Sequence, residues 1–424
     1  MAAAPSVSSV PSNSAASGAA GSALRQAIER ELPELRAIRH DLHRHPEIAF
    51  TEHRTSSVIQ RELTKLGISF VAGLAKGPRT PEGEPGTGVV GYLPATEPGG
   101  ESQPAVGLRA DIDALPIEEQ TGLPHASTIA GRMHACGHDG HTTVLLGAAR
   151  VLKNMKRPRP VTFVFQPAEE GGGGGELLCK QGLMDGKIIG PRIATMYGLH
   201  GWPELPVGTL GSRPGPLLAS TDEVRVIIHG RQSHAAYPQY SSDSVLCVAH
   251  CITALQQIAS RNVSPLDSVV LSICILKAGT ARNVLPETAE FVGTLRTLKA
   301  ETREFARRRI TEICTAVAAS FSCRAEVKLE PGYPVTYNDP ALTEKWFQTA
   351  RETFGAGNIV TVENPVMGGE DFSYYGQHAP AVFYCLGLRP AGRDTYPTLH
   401  QPTFDFNDDA LPVGIEAMVT LATQ

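Results

Sequence analysis

The segments AVGLRADID (105–113), HACGHDGHTTVLLGAARVLK (134–153) and VTFVFQPAEE (161–170) follow one another in the chain, and together they decide the fold. The first and third open as continuous apolar runs, rich in Val and Phe and too short for a helix, which predicts buried strands over 105–110 and 161–165. Between them the apolar positions take helical spacing, which predicts a helix over 139–153. Strand, helix and strand in that order argue for an α/β fold, a largely parallel sheet covered on both faces. Ligands of such sheets collect beyond the carboxyl ends of the strands. Asp111 and Asp113 fall at one such end, Glu169 and Glu170 at a second, and His200, after the apolar run 193–199, at a third.

Outward from this centre, helical spacing extends from Ala23 to about Leu66 and breaks at Pro46, so two helices flank the turn HRHPEIAF (43–50). The glycine- and proline-rich stretch 74–104 encloses a short strand over 89–93, read as a hairpin with the strand at 105. From 220 to 331 the rhythm changes. Strand 223–229, helix 242–261, strands 268–276 and 288–298, helix 302–321 and strand 324–329 spell the ferredoxin-like βαββαβ order. Helix 342–354, strand 381–388 and a terminal helix after His400 then resume the first pattern. The expected organisation is a tail over 1–22, a discontinuous domain over 23–219 and 332–424, and a smaller domain inserted at 220–331.

Composition narrows the class. Across 424 residues, 19% are charged, 42% are apolar and the formal net charge is −5, values that speak against a basic nucleic-acid binder and against an acidic disordered chain. No apolar run reaches the roughly 18 residues of a membrane span. Residues 1–22 are small, polar and uncharged, without the basic start and apolar core of a secretory signal, and read as a disordered tail. The eight cysteines are scattered with no CxxC pair, as expected of reduced thiols in the cytoplasm.

The chemistry concentrates in His134-Ala-Cys136-Gly-His138-Asp139-Gly-His141. Thiolate, imidazole and carboxylate are the ligands of zinc and related metals, and one loop presents several of them to one centre. A polar loop with a buried thiol, or a cysteine nucleophile with a histidine base, are the competing readings. In Gln166-Pro-Ala-Glu169-Glu170, adjacent carboxylates oppose joint ionisation unless a cation lies beside them, so one suits a metal and the other a proton from metal-bound water. Taken alone, this pair is also compatible with a solvated acidic turn. His200 and His400 are single loop histidines that gain meaning only beside these clusters. In the inserted domain, His234 (QSHAAYP), Asn283 (ARNVLP) and Arg296 (GTLRT) are types able to fix a carbonyl oxygen and a carboxylate.

In this order the motifs resemble the co-catalytic metallopeptidase family, in its aminoacylase, hippurate hydrolase and auxin-amino-acid conjugate hydrolase branch. The resemblance runs from about Leu24 to Leu421 through LHRHPEIAFTE (42–52), LRADIDALPIEEQTGLPHAS (108–127), MHACGHDGHTTVLLGAA (133–149), FVFQPAEEG (163–171), GLHGWPELPVG (198–208), GRQSHAAYP (230–238), AGTARNVLPETAEFVGTLRT (278–297), GGEDFSYY (368–375) and LHQPTFDFND (399–408). It implies a zinc-exopeptidase-like catalytic domain, with the inserted domain serving as lid and homodimer surface. It further implies two divalent ions, zinc or manganese, bound by Cys136, His138, Glu170, His200 and His400. Glu169 is the implied general base and proton donor, and Asp113 the acid that orients a metal ligand. His234 is implied to lie near the scissile carbonyl, reaching over from a partner subunit, and Asn283 and Arg296 to hold the substrate carboxylate.

The implied activity is hydrolysis of N-acyl-L-amino acids to a carboxylic acid and an amino acid. An exopeptidase or dipeptidase with the same centre, and a non-hydrolytic metal-binding protein, are the alternatives. The branch differs from the broader family, where a histidine ligand stands at the place of Asp111 and Cys136 is implied to replace it. Gln239 and Gln401 depart from the branch pattern without touching an implied ligand. The seven cysteines other than Cys136 read as buried small hydrophobes.

Overall fold

The computed structural model describes residues 19–424, and the chain forms two compact units. The first takes the described residues up to Leu217 together with Tyr337–Asn364 and Asp371–Gln424; the second takes Leu218–Thr336 and Pro365–Glu370.

The first unit is built on one mixed sheet. In spatial order its strands are Ser69–Leu74, Gly88–Leu93, Val161–Gln166, Ala105–Asp111, Ile193–Pro206, Ala381–Arg389, Leu210–Ser212 and Ile359–Thr361. The four central strands, Val161–Gln166 to Ala381–Arg389, pair in parallel, and antiparallel pairs join the flanks. Every residue of Ala105–Asp111 and Val161–Gln166 is buried, as expected where helices cover both faces. Helix His138–Lys153 is buried over all but its last residue and packs with Ala19–Arg44 and Leu411–Ala422. Its one buried cation, Arg150, is neutralised by Glu31, Glu34 and Glu62 at 2.9, 2.8 and 2.7 Å.

Register sets the site. Asp111 pairs with Gln166, Arg109 with Gly198, and His200 with Cys385, so three carboxyl ends open at one edge.

Several expectations change. Strand Gly88–Leu93 does not form a hairpin with Ala105–Asp111; it pairs with Ser69–Leu74 and with Val161–Gln166. Val161–Gln166 lies between the two because both of its edges are occupied, one in parallel and one antiparallel. Residues 19–22, expected in the tail, begin helix Ala19–Arg44, while 1–18 lie outside the described residues. Cys274 is exposed, on a strand at the edge of its sheet, while Cys179 and Cys323 are half-buried and Cys247, Cys251, Cys314 and Cys385 are buried.

In the second unit the antiparallel strands run Val269–Ala278, Thr288–Thr297, Ser220–His229 and Arg324–Pro331 in space. Ser220–His229 and Thr288–Thr297 bury alternate residues, the signature of a sheet with one packed face. Helices Ser244–Leu255 and Ala300–Ser320 supply Cys247, Cys251, Ile310 and Cys314 to a core with Val224, Val226, Phe291 and Leu295. The single helix expected over 242–261 is interrupted: Asp243 accepts from the Val245 and Leu246 N–H groups at its start, and a π-helical turn, Ile258–Asn262, follows its end. The unit also exceeds the expected 220–331. Gly332 and Tyr333 bond Thr221 at 2.8 and 2.9 Å, and the Ala219 N–H reaches the Val366 and Gly368 carbonyls at 3.1 and 2.8 Å.

Candidate metal centre

Gly137 separates Cys136 from His138 at the start of helix His138–Lys153, with φ of 85°. A side chain there would come within 3.2 Å of Phe406 and 3.4 Å of Phe404, so both the left-handed turn and the space call for glycine. The turn delivers two donors to one cluster. Cys136 Sγ stands 3.3 Å from His200 Nε2 and 3.3 Å from His400 Nε2, and His400 Nε2 is 3.1 Å from Glu170 Oε1. His400 arrives from the far end of the chain because its backbone N–H donates to the Ala135 carbonyl at 2.8 Å, in a left-handed conformation with φ of 63°.

The donor atoms fall into overlapping sets: Cys136 with His138 and His200, Cys136 with Glu170 and His400, and His138 with Glu169 and Glu170, the atoms of each set within 4.8 Å of one another. Nitrogen and sulfur ligands of one tetrahedral zinc stand roughly 3.5 Å apart, close to the spacing here. His138 Nε2 is buried and makes no hydrogen bond, while Nδ1 lies 3.2 Å from Asp113 Oδ1. His138 Nε2 faces Asp111 Oδ2 at 3.6 Å, beyond hydrogen-bond reach, and an imidazole held by a carboxylate at one nitrogen and unbonded at the other is arranged as a metal ligand. Burial pushes the Cys136 thiol well above its ordinary range, and the charges of Glu170, Glu169 and Asp111 push the same way. A thiolate here therefore calls for a neighbouring cation, and these surroundings oppose a thiolate nucleophile. The residues present fit a divalent metal, with Cys136 and Glu170 each belonging to more than one donor set.

Asp113 does a second job: its Oδ2 accepts the Glu170 N–H at 2.9 Å. Asp111 bonds Arg109 Nη1 at 2.8 Å and His141 Nδ1 at 2.7 Å, and its Oδ2 lies 3.6 Å from His138 Nε2, so Asp111, His138 and His141 form a further donor set. The Gly201 N–H donates to His141 Nε2 at 2.8 Å, so that nitrogen is an acceptor and the proton of the neutral ring sits on Nδ1. Sequence reasoning gave His141 no role, although its position three residues after His138 puts both on one helix face. It also missed the network behind the site. Arg109 reaches Gln166 and Asp371 at 2.9 and 3.0 Å, and Tyr375 donates to Gln166 at 2.9 Å. Asp371 and Tyr375 stand in GGEDFSYY, but nothing in their types marks them as partners of a strand residue more than 200 positions away.

The second unit carries the other three candidates. His234 pairs with Val284, and the Asn283 carbonyl accepts the Ala235 N–H at 2.9 Å, so His234 and Asn283 are neighbours. The Ala236 N–H donates to His234 Nδ1 at 3.1 Å, which leaves Nε2 as the donor of the exposed neutral ring. Arg296 is not brought to this pair. It faces Thr221 at one end of strand Thr288–Thr297, with Nε bonded to Thr294 at 3.0 Å, whereas the loop bearing Asn283 leads into the other end. Eight residues of strand span about 27 Å. Gln239 lies in the exposed turn Pro238–Tyr240, and the Gln401 side chain accepts the Thr398 N–H at 3.2 Å.

The model of Peptidase family M20/M25/M40 matches residues 107–424. IAA-amino acid hydrolase ILR1-like 4 of Arabidopsis thaliana is 36% identical over 393 residues, covering 91% of this chain and 84% of the relative. N-acetylcysteine deacetylase of Bacillus subtilis (strain 168) is also 36% identical, over 91% of this chain and 95% of its own. Among solved structures, a Bacillus subtilis protein described as a dinuclear metal binding peptidase from the M20 family is similar at a TM-score of 0.76 and 32% identity, covering 93% of this chain and 98% of that one. With its cysteine, histidine and glutamate donors at the carboxyl ends of a mostly parallel sheet, the chain belongs to peptidase family M20/M25/M40.

Proposed function

We propose that this chain is a metal-dependent amidohydrolase that cleaves N-acyl-L-amino acids of hippurate or N-acetyl-amino-acid type, releasing a carboxylic acid and a free amino acid. The observation that carries the reading is the cluster in which Cys136 Sγ lies 3.3 Å from both His200 and His400, with Glu169 and Glu170 alongside. The printed activities of the two relatives, an IAA-amino acid hydrolase and an N-acetylcysteine deacetylase, support the substrate class.

Cys136, His138, Glu170, His200 and His400 would hold two divalent ions, zinc or manganese. Bound there, such ions supply Lewis acidity and acidify a water. Glu169 takes the proton of the attacking water and delivers it to the leaving nitrogen. Asp113 fixes the His138 ring through Nδ1 and the Glu170 backbone through its N–H. His234 Nε2–H donates to the carbonyl oxygen as it gains charge. Arg296 pairs with the substrate carboxylate, which restricts the enzyme to amino acids with a free carboxyl group.

The second unit is read as a ferredoxin-like lid and dimer surface. Its outer strand Val269–Ala278 exposes Ile275 and Leu276, and the nearby helix start exposes Val245 and Leu246, an apolar face suited to a second copy. A small substrate cannot touch both Arg296 and the His234–Asn283 pair in one chain when they stand at opposite ends of a strand. In a homodimer the pair serves the partner's site. Eight cysteines, none in a disulfide, support a reducing compartment, the cytoplasm.

A panel of N-benzoyl, N-acetyl and indole-acetyl amino acids with dipeptides, assayed on metal-stripped protein restored with zinc or manganese, tests the reading. Turnover of acyl amino acids only after metal is returned is expected. Exclusive turnover of dipeptides would move the assignment to a dipeptidase.

A further inference from the structure

Glu52 precedes helix His53–Lys65 yet makes no side-chain bond to the helix start. Glu47 makes those bonds, accepting the Arg54 and Thr55 N–H groups at 2.9 and 2.8 Å. The fully buried Glu52 carboxyl turns inward, where Oε1 accepts the Ala168 N–H at 2.9 Å and Oε2 the Thr87 hydroxyl at 2.6 Å. Burial, joined by the charge of Asp113, pushes its pKa up to about 8. An acid kept inside at that cost, and not used to cap its own helix, calls for another task.

Ala168 supplies it. Its φ is 58°, the left-handed region that alanine disfavours, and such a conformation persists only where its surroundings hold it. Ala168 directly precedes Glu169. On the other side of Glu169, the Glu170 N–H is held by Asp113 at 2.9 Å. The backbone carrying Glu169 is thus gripped by one carboxyl group before it and one after it. The Ala168 carbonyl is held as well, by the Gly172 and Gly174 N–H groups at 3.2 and 3.3 Å, which steadies the turn without replacing the bond to its N–H.

We propose that Glu52 is a positioning residue: by holding the Ala168 amide it fixes the left-handed turn that aims the Glu169 carboxylate. The inference rests on the reading of Glu169 as the proton acceptor, so its test has one arm that needs no activity.

Hydrogen exchange of the Ala168 amide is followed in metal-free protein, and kcat and KM for an N-acyl amino acid in the metal-restored enzyme. For Glu52→Ala the expected result is at least about tenfold faster exchange and a kcat lower by about ten- to a hundredfold, with KM within about threefold. Glu52→Gln keeps an acceptor oxygen and is expected to stay within about threefold of the wild type on all three measures. Adding Ala168→Gly to Glu52→Ala should recover part of kcat, because glycine enters the left-handed turn freely. If Glu52→Ala does not fold, Glu52→Asp, one methylene short of the amide, gives the same comparison. Unchanged exchange, faster exchange with unchanged kcat, or a Gln variant as impaired as the Ala variant would overturn the proposal. A wild-type chain that hydrolyses no N-acyl amino acid would instead sink the functional reading, while the exchange arm still decides whether Glu52 holds the turn.

Discussion

Asp111 Oδ1 and His141 Nδ1 lie 2.7 Å apart, both fully buried, and the far nitrogen of the same ring accepts the Gly201 N–H at 2.8 Å. This single imidazole ties the strand end bearing Asp111 to the backbone that follows His200. His141→Ala leaves the Gly201 N–H without its acceptor and takes from Asp111 its shortest side-chain contact, with Arg109 and His138 remaining beside it. Such a loss is expected to cost about 3 kcal/mol in urea unfolding of the metal-free chain. A change below about 0.5 kcal/mol would mean that water replaces the ring without penalty.

Glu169→Ala separates the proton-transfer role from metal binding. Removing a general base should lower kcat by roughly 10²- to 10⁴-fold. On the reading in which Glu169 moves protons and binds no metal, two ions per chain should remain, because the proposed ligands Cys136, His138, Glu170, His200 and His400 are untouched. Elemental analysis of the dialysed variant together with turnover measurements checks both halves. A variant with its metals and full activity would remove Glu169 from the mechanism.

Much of this centre is legible in the chain because its parts are local. Asp111 and Asp113, Cys136 and His138, and Glu169 and Glu170 each sit within one short motif at the end of an apolar run, where the rules for parallel sheets predict a site. What the sequence hides is long-range pairing. Arg39 reaches Asp139 and Asp405 at 3.1 and 2.8 Å, and is ion-paired with Asp408, so the first described helix and the segment after His400 meet beside the ligand loop. No local pattern announces that a helix cation will be buried, because burial of arginine is decided by the three carboxylates that find it. The place of strand Gly88–Leu93 is hidden for a related reason: its neighbour Val161–Gln166 comes after an intervening strand and helix. The boundary of the second unit moved because Pro365–Glu370, short and without strand pattern, joins it through two backbone bonds at Ala219.

His43 makes stability depend on pH in a stated direction. Burial by itself opposes its protonation, but the charge and hydrogen bond of Asp139 and the hydrogen bond of Glu119 outweigh it and push the pKa up to about 10. A pKa raised from the ordinary value near 6.5 means that the protonated ring stabilises the folded chain fully below about pH 6.5, and that this contribution is lost as pH rises through about 10. His43→Asn should therefore show a flatter stability profile than the wild type between those limits, measured by urea unfolding at each pH. Parallel profiles would show that His43 does not titrate in that window.

Zinc should stabilise the folded chain through Cys136. A ligand that binds only the folded state at about 100 times its Kd adds about 2.7 kcal/mol, so the Tm of metal-stripped wild type should rise by several degrees on adding zinc. Cys136→Ala removes a donor common to two of the sets, and both the rise and the number of ions retained on dialysis should shrink. An equal rise in both proteins would place the metal elsewhere.

The separation of Arg296 from the His234–Asn283 pair gives the sharpest test of a shared site. His234→Ala and Arg296→Ala should each be nearly inactive alone, the first for want of a donor to the carbonyl oxygen and the second for want of the carboxylate clamp. If His234 serves the partner's site, a mixed dimer of the two variants contains one site with Arg296 from its own chain and His234 from the other, both intact, and a second site lacking both. Random mixing makes about half of the dimers mixed, each with one working site of two, so about a quarter of wild-type activity should return when the two chains are unfolded and refolded together. If His234 and Arg296 act within one chain, every site in every dimer lacks one of them and no activity returns. Sedimentation of the mixture checks that dimers have formed, so the two outcomes separate a shared site from a self-contained one.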